Sequence, residues 1–295
     1  MKIIVSGSES QIAKCLQKDY KNNKNYEFFF FNKKSFDISN YDLIKNKFDN
    51  INPDILLNCA AYTNVIQAEN NNDICNNINN INLLYLSQLC NKYKTTIIHF
   101  STDYVFDGKK KIKYNESDNT NPLSFYGKTK LEGEKKIINT SNNYLILRVS
   151  WLFSEYKKNF FNFVMDKLFN NEDVYAVNDL FSIPTSSQEI SNFIFFLLKN
   201  ESNINLKNLK NLYHFVNSGP IVSWYELALN IKNNLNTTVN SKSKIIPISA
   251  FEFFKQNIRP KYSAMNNAEL IKKFNFQIEN WQLSINSLIA NYKKK

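Results

Sequence analysis

The first half of the chain alternates apolar strands with helices, and this alternation limits the fold more than any other feature. Each strand is a nearly continuous apolar run, as expected for strands that are buried on both faces. Between the runs, apolar residues recur at helical spacing, as at Ile12 and Leu16 and in the segment 41–48. The pattern predicts an α/β fold with a doubly wound parallel sheet covered by helices on both faces. The predicted strands are KIIVSG (2–7), YEFFFF (26–31), DILLNCAA (54–61), TTIIHFSTDYVF (95–106) and NYLILRVSWLF (143–153).

An asparagine-rich segment, NNNDICNNINNIN (70–82), follows the third predicted strand. Ile74, Ile78, Ile81 and Tyr85 recur there at helical spacing, so we interpret it as an amphipathic helix that buries these four residues and exposes asparagine. Past Trp151 the pattern loosens into helical segments, with no internal repeat and no flexible linker. These segments are FFNFVMDKLFN (160–170), SSQEISNFIFFLLKN (186–200), SWYELALNIKNNL (223–235) and WQLSINSLIANY (281–292).

The chain of 295 residues carries a formal charge of +11, which raises the question of nucleic-acid binding. Its lysines are scattered, with short clusters at 109–111 and 293–295 and no basic stripe interleaved with aromatic residues. We therefore expect no nucleic-acid partner. A positive surface would equally attract an anionic nucleotide ligand.

The four cysteines have no C-x-x-C spacing and lie on apolar faces, which predicts free thiols in a reducing compartment. They are Cys15, Cys59, Cys75 and Cys90. The histidines are His99 and His214, so no Cys/His cluster indicates a metal site. The longest apolar run, 193–198, is far shorter than the ~20 residues of a membrane helix, and the N-terminus lacks a signal-peptide pattern. We expect a cytoplasmic protein with no membrane partner.

Ligands of open parallel sheets bind at the carboxyl ends of the strands, so the residues after each strand are informative. The first strand is followed by GSESQIAK (7–14). Gly7 suits the tight turn of a dinucleotide-binding loop, while Ser10 and Ala13 stand where a G-x-x-G-x-x-G pattern would place two more glycines. A serine hydroxyl can bond phosphate, and alanine is the next smallest packing residue. A helix N-terminus capped by Ser8 or Ser10 is an equally open interpretation.

A tyrosine precedes a lysine by four residues in SFYGKTKLEGEKK (124–136). On a helix, Tyr126 and Lys130 would lie on one face in successive turns. A neighbouring ammonium lowers the pKa of a phenol, so that Tyr126 could donate a proton to a carbonyl that is being reduced. Thr102, at the end of the preceding strand, supplies a hydroxyl for the same oxygen. A surface tyrosine on a lysine-rich helix is the alternative that an isolated Y-x-x-x-K pattern leaves open.

Several segments in order along the chain resemble one family. STDYVFDG (101–108), PLSFYGKTKLEGEK (122–135) and LRVSWLF (147–153) are similar to the extended short-chain dehydrogenases/reductases, and within them to the dTDP-4-dehydrorhamnose reductase family. The similarity continues through NPDILLNCAAYTNV (52–65), LFSIPTS (180–186), LYHFVNSG (212–219) and RPKYSAM (259–265). It implies a Rossmann-type domain over 1–150 and a smaller, mainly substrate-binding lobe over 151–295, with some segments returning to the Rossmann core.

The resemblance also implies a reaction, which is NADPH- or NADH-dependent reduction of the 4-keto group of dTDP-6-deoxy-L-lyxo-4-hexulose to dTDP-L-rhamnose. It implies Tyr126 as proton donor, Lys130 as its ribose-binding partner, and Thr102 with Asp103 and Trp151 near the sugar. Dehydratases of the superfamily carry T-D-E, whereas Tyr104 follows Asp103 here, which favours reduction. The residues implied along the cofactor are Gly7, Ser10, Gln11, Ile12, Asn32, Asp37, Ile38, Ala60, Ala61, Tyr62, Tyr126 and Lys130.

Departures from the family pattern leave alternatives open. The usual V-D-x-A-E reads VIQAE, with Ile66 in place of the acid, and the phosphate loop lacks two glycines. A non-catalytic regulatory subunit of the methionine adenosyltransferase type, or a reductase or epimerase of another nucleotide sugar, would fit such a chain. A homodimer and a divalent ion such as Mg²⁺ are also left open by the sequence.

The residues after the second strand predict which cofactor is preferred. An acidic side chain at this point bonds the adenosine 2′-hydroxyl and repels a 2′-phosphate. Here Asn32, Lys33 and Lys34 follow the strand, with Asp37 close by. We therefore expect NADPH to be used better than NADH.

Overall fold

The computed structural model describes residues 1–21, 25–236, 241–256 and 258–292, so the lysines at 293–295 lie outside the described part. Its strands are β1 Lys2–Ser6, β2 Glu27–Phe31, β3 Ile55–Asn58, β4 Thr96–Thr102, β5 Tyr144–Val149, β6 Leu152–Phe153, β7 Val174–Val177, β8 Phe181–Ser182, β9 Thr185–Ser186, β10 Lys210–His214, β11 Val222–Ser223 and β12 Ile245–Ile248. Its α-helices are α1 Gln11–Tyr20, α2 Tyr41–Ile51, α3 Val65–Ala68, α4 Asn72–Asn76, α5 Asn82–Lys92, α6 Phe125–Thr140, α7 Phe160–Phe169, α8 Ser187–Lys199, α9 Glu201–Ile204, α10 Trp224–Asn236, α11 Ala250–Phe254, α12 Ala268–Phe274 and α13 Trp281–Tyr292.

Six parallel strands form the central sheet in the order β10-β5-β4-β3-β1-β2. The chain moves from β1 outward to β2 and then returns to place β3 on the other side of β1. This reversal creates the crevice in which such sheets bind ligands. The predicted Rossmann-type α/β fold is confirmed.

The strands are shorter than the apolar runs that predicted them. β3 ends at Asn58 and β4 at Thr102, so Ala60, Ala61 and Asp103 lie in the turns that leave the sheet. All seven residues of β4 are buried, as expected for a strand covered on both faces.

The chain after β5 contributes to two apolar cores. Helix α8 and strand β10 return to the sheet, where Ile190, Phe193 and Phe215 pack with Ile3 and Val5. A second core joins α7, α10 and α13 to the short strands β6, β7 and β11. Fully burying one such aliphatic or aromatic side chain contributes ~1.5–3 kcal/mol, which holds each layer in place.

The asparagine-rich segment is helical, but the predicted buried face is wrong. Ile74, Ile81 and Tyr85 are 52%, 42% and 49% exposed. The helix instead buries Cys75 and Asn79 against α6. A π-helical turn, Asn77–Ile81, shifts the helical register between α4 and α5. Ile74 is already exposed ahead of this turn, so the error lies in which face packs against α6 and not in the change of register.

Among the helices of the described ranges, none is long and apolar enough to cross a membrane.

Candidate active site

A cavity of about 480 Å³ opens at the carboxyl ends of the central strands. Its wall is formed by the turns after β1, β2 and β3, by the end of β4, and by one face of α6. Eleven of the predicted cofactor residues line it, namely Gly7, Ser10, Gln11, Ile12, Asn32, Asp37, Ile38, Ala60, Ala61, Tyr126 and Lys130. The structure therefore brings together most of a set that is spread over more than a hundred positions of the sequence.

The turn after β1 meets the turn after β3 at the point where the strand order reverses. Gly7 has φ +64, and a Cβ there would lie 2.8 Å from the backbone of Cys59 and Ala60. Only glycine fits this conformation and this approach. The turn thus leaves room against the backbone for a bulky ligand group, as a dinucleotide pyrophosphate requires.

Ser10 occupies the start of α1. Its Oγ accepts the amide proton of Ala13 at 3.2 Å, so it caps the helix, and its own N–H donates to Gly7 O at 2.8 Å. The N-cap interpretation is confirmed for Ser10, and the same residue lines the cavity. The two interpretations of this serine are compatible, because anion-binding helix N-termini are commonly capped in this way.

The turn after β2 forms the outer end of the cavity. Asn32 closes this turn by accepting the Ser35 amide proton on its Oδ1 at 3.1 Å. Lys33 and Asp37 line the cavity, and Lys34 does not. Burial raises the pKa of Asp37, but bonds from the Ser39 hydroxyl and amide and the charge of Lys33 outweigh it, so the pKa is lowered overall. Asp37 is therefore a charged carboxylate whose Oδ1 is occupied by Ser39.

Tyr126 and Lys130 lie in successive turns of α6, which begins at the N-cap Ser124. Tyr126 is 9% exposed and Lys130 only 2%. Surface lysines are much more exposed, so the alternative of a surface tyrosine on a lysine-rich helix does not hold. Both side chains line the cavity.

Thr102, at the end of β4, lies beside Tyr126, and its own hydroxyl donates to Asp103 Oδ1 at 3.2 Å. Burial raises the pKa of Tyr126, and the neighbouring Thr102 opposes this only in part. The expected lowering by Lys130 is not seen. The amino group of Lys130 instead donates to Phe100 O at 2.6 Å and lies 3.0 Å from His99 Nε2.

The two other predicted sugar contacts lie beside this pair and outside the lining of the cavity. Asp103 is 2% exposed, and its Oδ2 accepts the Ser263 hydroxyl at 2.5 Å. Burial raises the pKa of Asp103 to about 7, although Ser263 and Thr102 both donate to it. Trp151 has the left-handed φ of 43, and its ring meets Trp224 edge-on at 5.5 Å. Their contact with a sugar stays a prediction.

Tyr62 is the predicted cofactor residue that does not line the cavity. Its backbone N–H and carbonyl both bond the side chain of Asn79, each at 2.9 Å. The backbone of the loop after β3 is thereby fixed to the π-helical turn. This gives Tyr62 an evident part in shaping the cavity wall, while its contact with a cofactor stays a prediction.

An arginine that sequence reasoning did not single out borders the site. Arg259 lies over the Phe254 ring at 4.0 Å and 5.8 Å from the Trp224 ring, and its Nη1 donates to the Tyr104 hydroxyl. Tyr104 in turn packs edge-on against Tyr126 at 5.8 Å. Arg259 is the first residue of the RPKYSAM segment, and that segment was the signal in the sequence that could have identified it.

The sequence analysis also missed other residues of the cavity. Asn58, Ser101, Lys157 and Lys158 line the cavity, and His99 lies directly behind Lys130. For His99, the available signal was a histidine within a buried strand, in TTIIHFSTDYVF. Within the described ranges, no group of three or more His, Cys, Asp or Glu side chains is placed to hold a metal ion.

Comparison with known proteins gives matches along the whole chain. The family model described as RmlD substrate binding domain matches residues 1–294. A dTDP-4-dehydrorhamnose reductase of Aggregatibacter actinomycetemcomitans is 31% identical over 98% of each chain. A crystal structure of a dTDP-4-dehydrorhamnose reductase from Clostridium acetobutylicum superposes with a TM-score of 0.88 at 30% identity, covering 99% of this chain and 100% of that one.

A second solved relative carries a cofactor. The dTDP-4-dehydrorhamnose reductase of Bacillus anthracis, crystallised in complex with NADP, has a TM-score of 0.88 at 30% identity, covering 98% of this chain and 99% of that one.

Proposed function

The chain belongs to the dTDP-4-dehydrorhamnose reductase family, and from this premise we propose that it reduces the 4-keto group of dTDP-6-deoxy-L-lyxo-4-hexulose to dTDP-L-rhamnose with NADPH. The observation that carries the proposal is the buried Tyr126 at the wall of a cavity shaped for a dinucleotide, with Lys130 one helical turn away and Thr102 beside it at the end of β4. We place the reaction in the cytoplasm.

The residues present fit a dinucleotide. The Gly7 turn and the N-terminus of α1 would hold the pyrophosphate, Ala60 and Ala61 would flank the chain of the cofactor, and Lys33 would approach the adenosine end. When bound, the reduced nicotinamide supplies the hydride.

Tyr126 supplies the proton in this proposal. Because burial raises the pKa of Tyr126, the phenol keeps its proton at neutral pH, as a proton donor must. Negative charge that develops on the 4-oxygen of the sugar strengthens the hydrogen bond from the phenol and draws the proton across. Thr102 lies beside the phenol, and in this proposal its hydroxyl would approach the same 4-oxygen.

Lys130 has a different part from the one expected. Its amino group lies against His99 and Phe100, so it acts on the ribose and on the charge of the pocket rather than by direct contact with Tyr126.

A direct assay of NADPH oxidation tests the proposal. Purified protein is mixed with NADPH and the dTDP-keto-sugar, NADPH oxidation is followed by absorbance, and the product is identified by mass and NMR. We expect stoichiometric formation of dTDP-L-rhamnose. Turnover only with a UDP- or GDP-keto-sugar would indicate a reductase of another nucleotide sugar.

The same preparation tests the non-catalytic alternative. Absence of turnover with every keto-sugar, together with stable binding to a methionine adenosyltransferase, would support a regulatory subunit and overturn the proposal. Gel filtration in the presence of Mg²⁺ or of EDTA would test a homodimer and a divalent ion, both of which the sequence left open.

A further inference from the structure

Four buried side chains form a line of hydrogen bonds behind the cavity. Ser6 Oγ lies 2.8 Å from Asn58 Oδ1, Asn58 Nδ2 lies 3.0 Å from His99 Nδ1, and His99 Nε2 lies 3.0 Å from Lys130 Nζ. All four residues are 2% exposed or less. The line crosses β1, β3 and β4 and ends on α6, and the proposed reaction does not use its middle members.

The donors and acceptors along this line fix where the protons lie. The oxygen of the Asn58 amide faces Ser6, so its NH₂ group faces His99 and donates to Nδ1. A neutral imidazole has one proton, which must then be on Nε2. That proton points at Lys130 Nζ, and Nζ can accept it only as a neutral amine because an ammonium has no lone pair.

A charged Lys130 requires a different arrangement of the same groups. The ammonium would donate to His99 Nε2, which places the imidazole proton on Nδ1. The Asn58 amide must then turn its oxygen to His99 and its NH₂ to Ser6, whose hydroxyl can accept as well as donate. Every group is satisfied in both arrangements, which differ by one proton on Nζ and by the nitrogen that carries the imidazole proton.

We propose that His99 is a positioning residue that couples the charge of Lys130 to its own tautomer and to the orientation of the Asn58 amide. His99 stays neutral throughout. Asn58 and Lys130 both line the cavity, so in this proposal a change of charge on the lysine also turns an amide group at the cavity wall.

The surroundings support titration of the lysine and not of the histidine. Burial lowers the pKa of Lys130 to about 8, although the nearby carboxylate of Glu134 on α6 opposes this. Burial, with Lys130 second, holds the pKa of His99 well below its usual value. Glu134 is itself held by Arg148 and Ser101, at 2.7 Å and 2.5 Å, so it is a fixed charge beside the line.

The tautomer can be observed directly, because the chain has two histidines. In protein labelled with ¹⁵N-histidine, long-range ¹H–¹⁵N spectra distinguish Nδ1–H from Nε2–H forms. We expect His99 to be Nδ1–H at low pH and Nε2–H at high pH without becoming an imidazolium. A single tautomer from about pH 6 to about pH 10, or formation of an imidazolium at the midpoint of the change, would overturn the proposal.

His214 is an internal control in the same spectra. Its Nδ1 lies 3.1 Å from Tyr114 O, and its Nε2 faces Arg148, so it should be Nδ1–H at every pH. A tautomer change that both histidines share would indicate a general structural change and would count against the proposal. The measurement needs no turnover and no variant, so it is decided independently of the proposed function.

Two variants give the kinetic consequence, which does rest on the proposed function. In His99→Gln the amide can reach Lys130 and offer a fixed acceptor, whereas in His99→Asn it can reach only Asn58. The alkaline limb of kcat/KM should move up by about one pH unit in His99→Gln and down by about one in His99→Asn. A purely structural role predicts equal losses with no shift, and shifts in the same direction would overturn the coupling.

Discussion

The two ends of the cavity differ in how their side chains are held. At the inner end, Tyr126 and Lys130 are buried, and Lys130 is hydrogen-bonded to other protein groups. At the outer end, Lys33 is exposed and Asp37 is half-buried. A hydrogen bond or charge away from water is stronger, and its loss costs more, than one that water can replace. Substitutions should therefore have large effects at the inner end and small, salt-dependent effects at the outer end.

The largest expected effect is that of Tyr126→Phe. The change removes the transferable proton and leaves the ring that packs against Tyr104. General acid catalysis typically contributes ~10²–10⁴-fold, so kcat should fall by at least about a hundredfold while NADPH affinity is retained. Steady-state kinetics and cofactor titration by fluorescence measure the two quantities. A fall in kcat of less than about tenfold would remove Tyr126 from the role of proton donor.

Gly7→Ala tests the junction between the two ends. A side chain in the left-handed region costs about 1–3 kcal/mol, and here it would also press on the backbone of Cys59 and Ala60. We expect a lower Tm and a rise of roughly tenfold in the KM for NADPH.

Gly219→Ala is a matched control for this change. Gly219 has φ +119, and its Cβ would press on Trp281 in the C-terminal lobe. It should lower Tm without changing the KM for NADPH. An equal rise in KM for both variants would mean that the Gly7 turn has no special part in cofactor binding.

Asp103 makes the stability of the folded protein depend on pH. Burial raises its pKa to about 7 in the folded protein, compared with ~3.9 when unfolded. The folded state therefore binds this proton more tightly, and the resulting stability is present below about pH 4 and is lost as pH rises through about 7.

Asp103→Asn removes this titration. Relative to wild type, the Tm of the variant should rise between about pH 5 and about pH 8. Thermal unfolding at the two pH values measures it. An unchanged difference in Tm between the two proteins would show that Asp103 is already ionised in the folded state near pH 5.

From the sequence, the residues of the inner end were predicted better than the contacts that hold them. The Tyr126–Lys130 spacing and the strand end at Thr102 placed these side chains correctly, because helical spacing and parallel topology are local or general rules. Spacing along a helix does not show which way a lysine turns. Lys130 bonds His99 and Phe100 on a neighbouring strand, so the expected effect of Lys130 on the pKa of Tyr126 was wrong.

The Rossmann sheet was predictable for a similar reason, since buried parallel strands are continuous apolar runs. The helix face around Ile74 and Tyr85 was not, because the buried face is set by contacts of Cys75 and Asn79 with Thr129 on α6, which is 54 and 50 positions away from them. The partners of Asp103 and Arg259 were also out of reach. Ser263 and Tyr104 are 160 and 155 positions away from them, and no local pattern links residues at that distance.

The smallest expected effect is that of Lys33→Gln at the outer end. Lys33 lines the cavity and would attract the 2′-phosphate of NADPH, whereas Lys34 does not line it, so Lys34→Gln is the matched control. An exposed ion pair contributes ~0.2–1 kcal/mol, so the KM for NADPH should rise about two- to fivefold in Lys33→Gln and stay unchanged for NADH. High salt should reduce the effect, because it screens exposed charges. Steady-state kinetics with both cofactors at low and high ionic strength measure it. If Lys34→Gln acts equally, or if wild type has the lower KM for NADH at both ionic strengths, then Lys33 does not recognise the 2′-phosphate, and Asp37 controls the outer end.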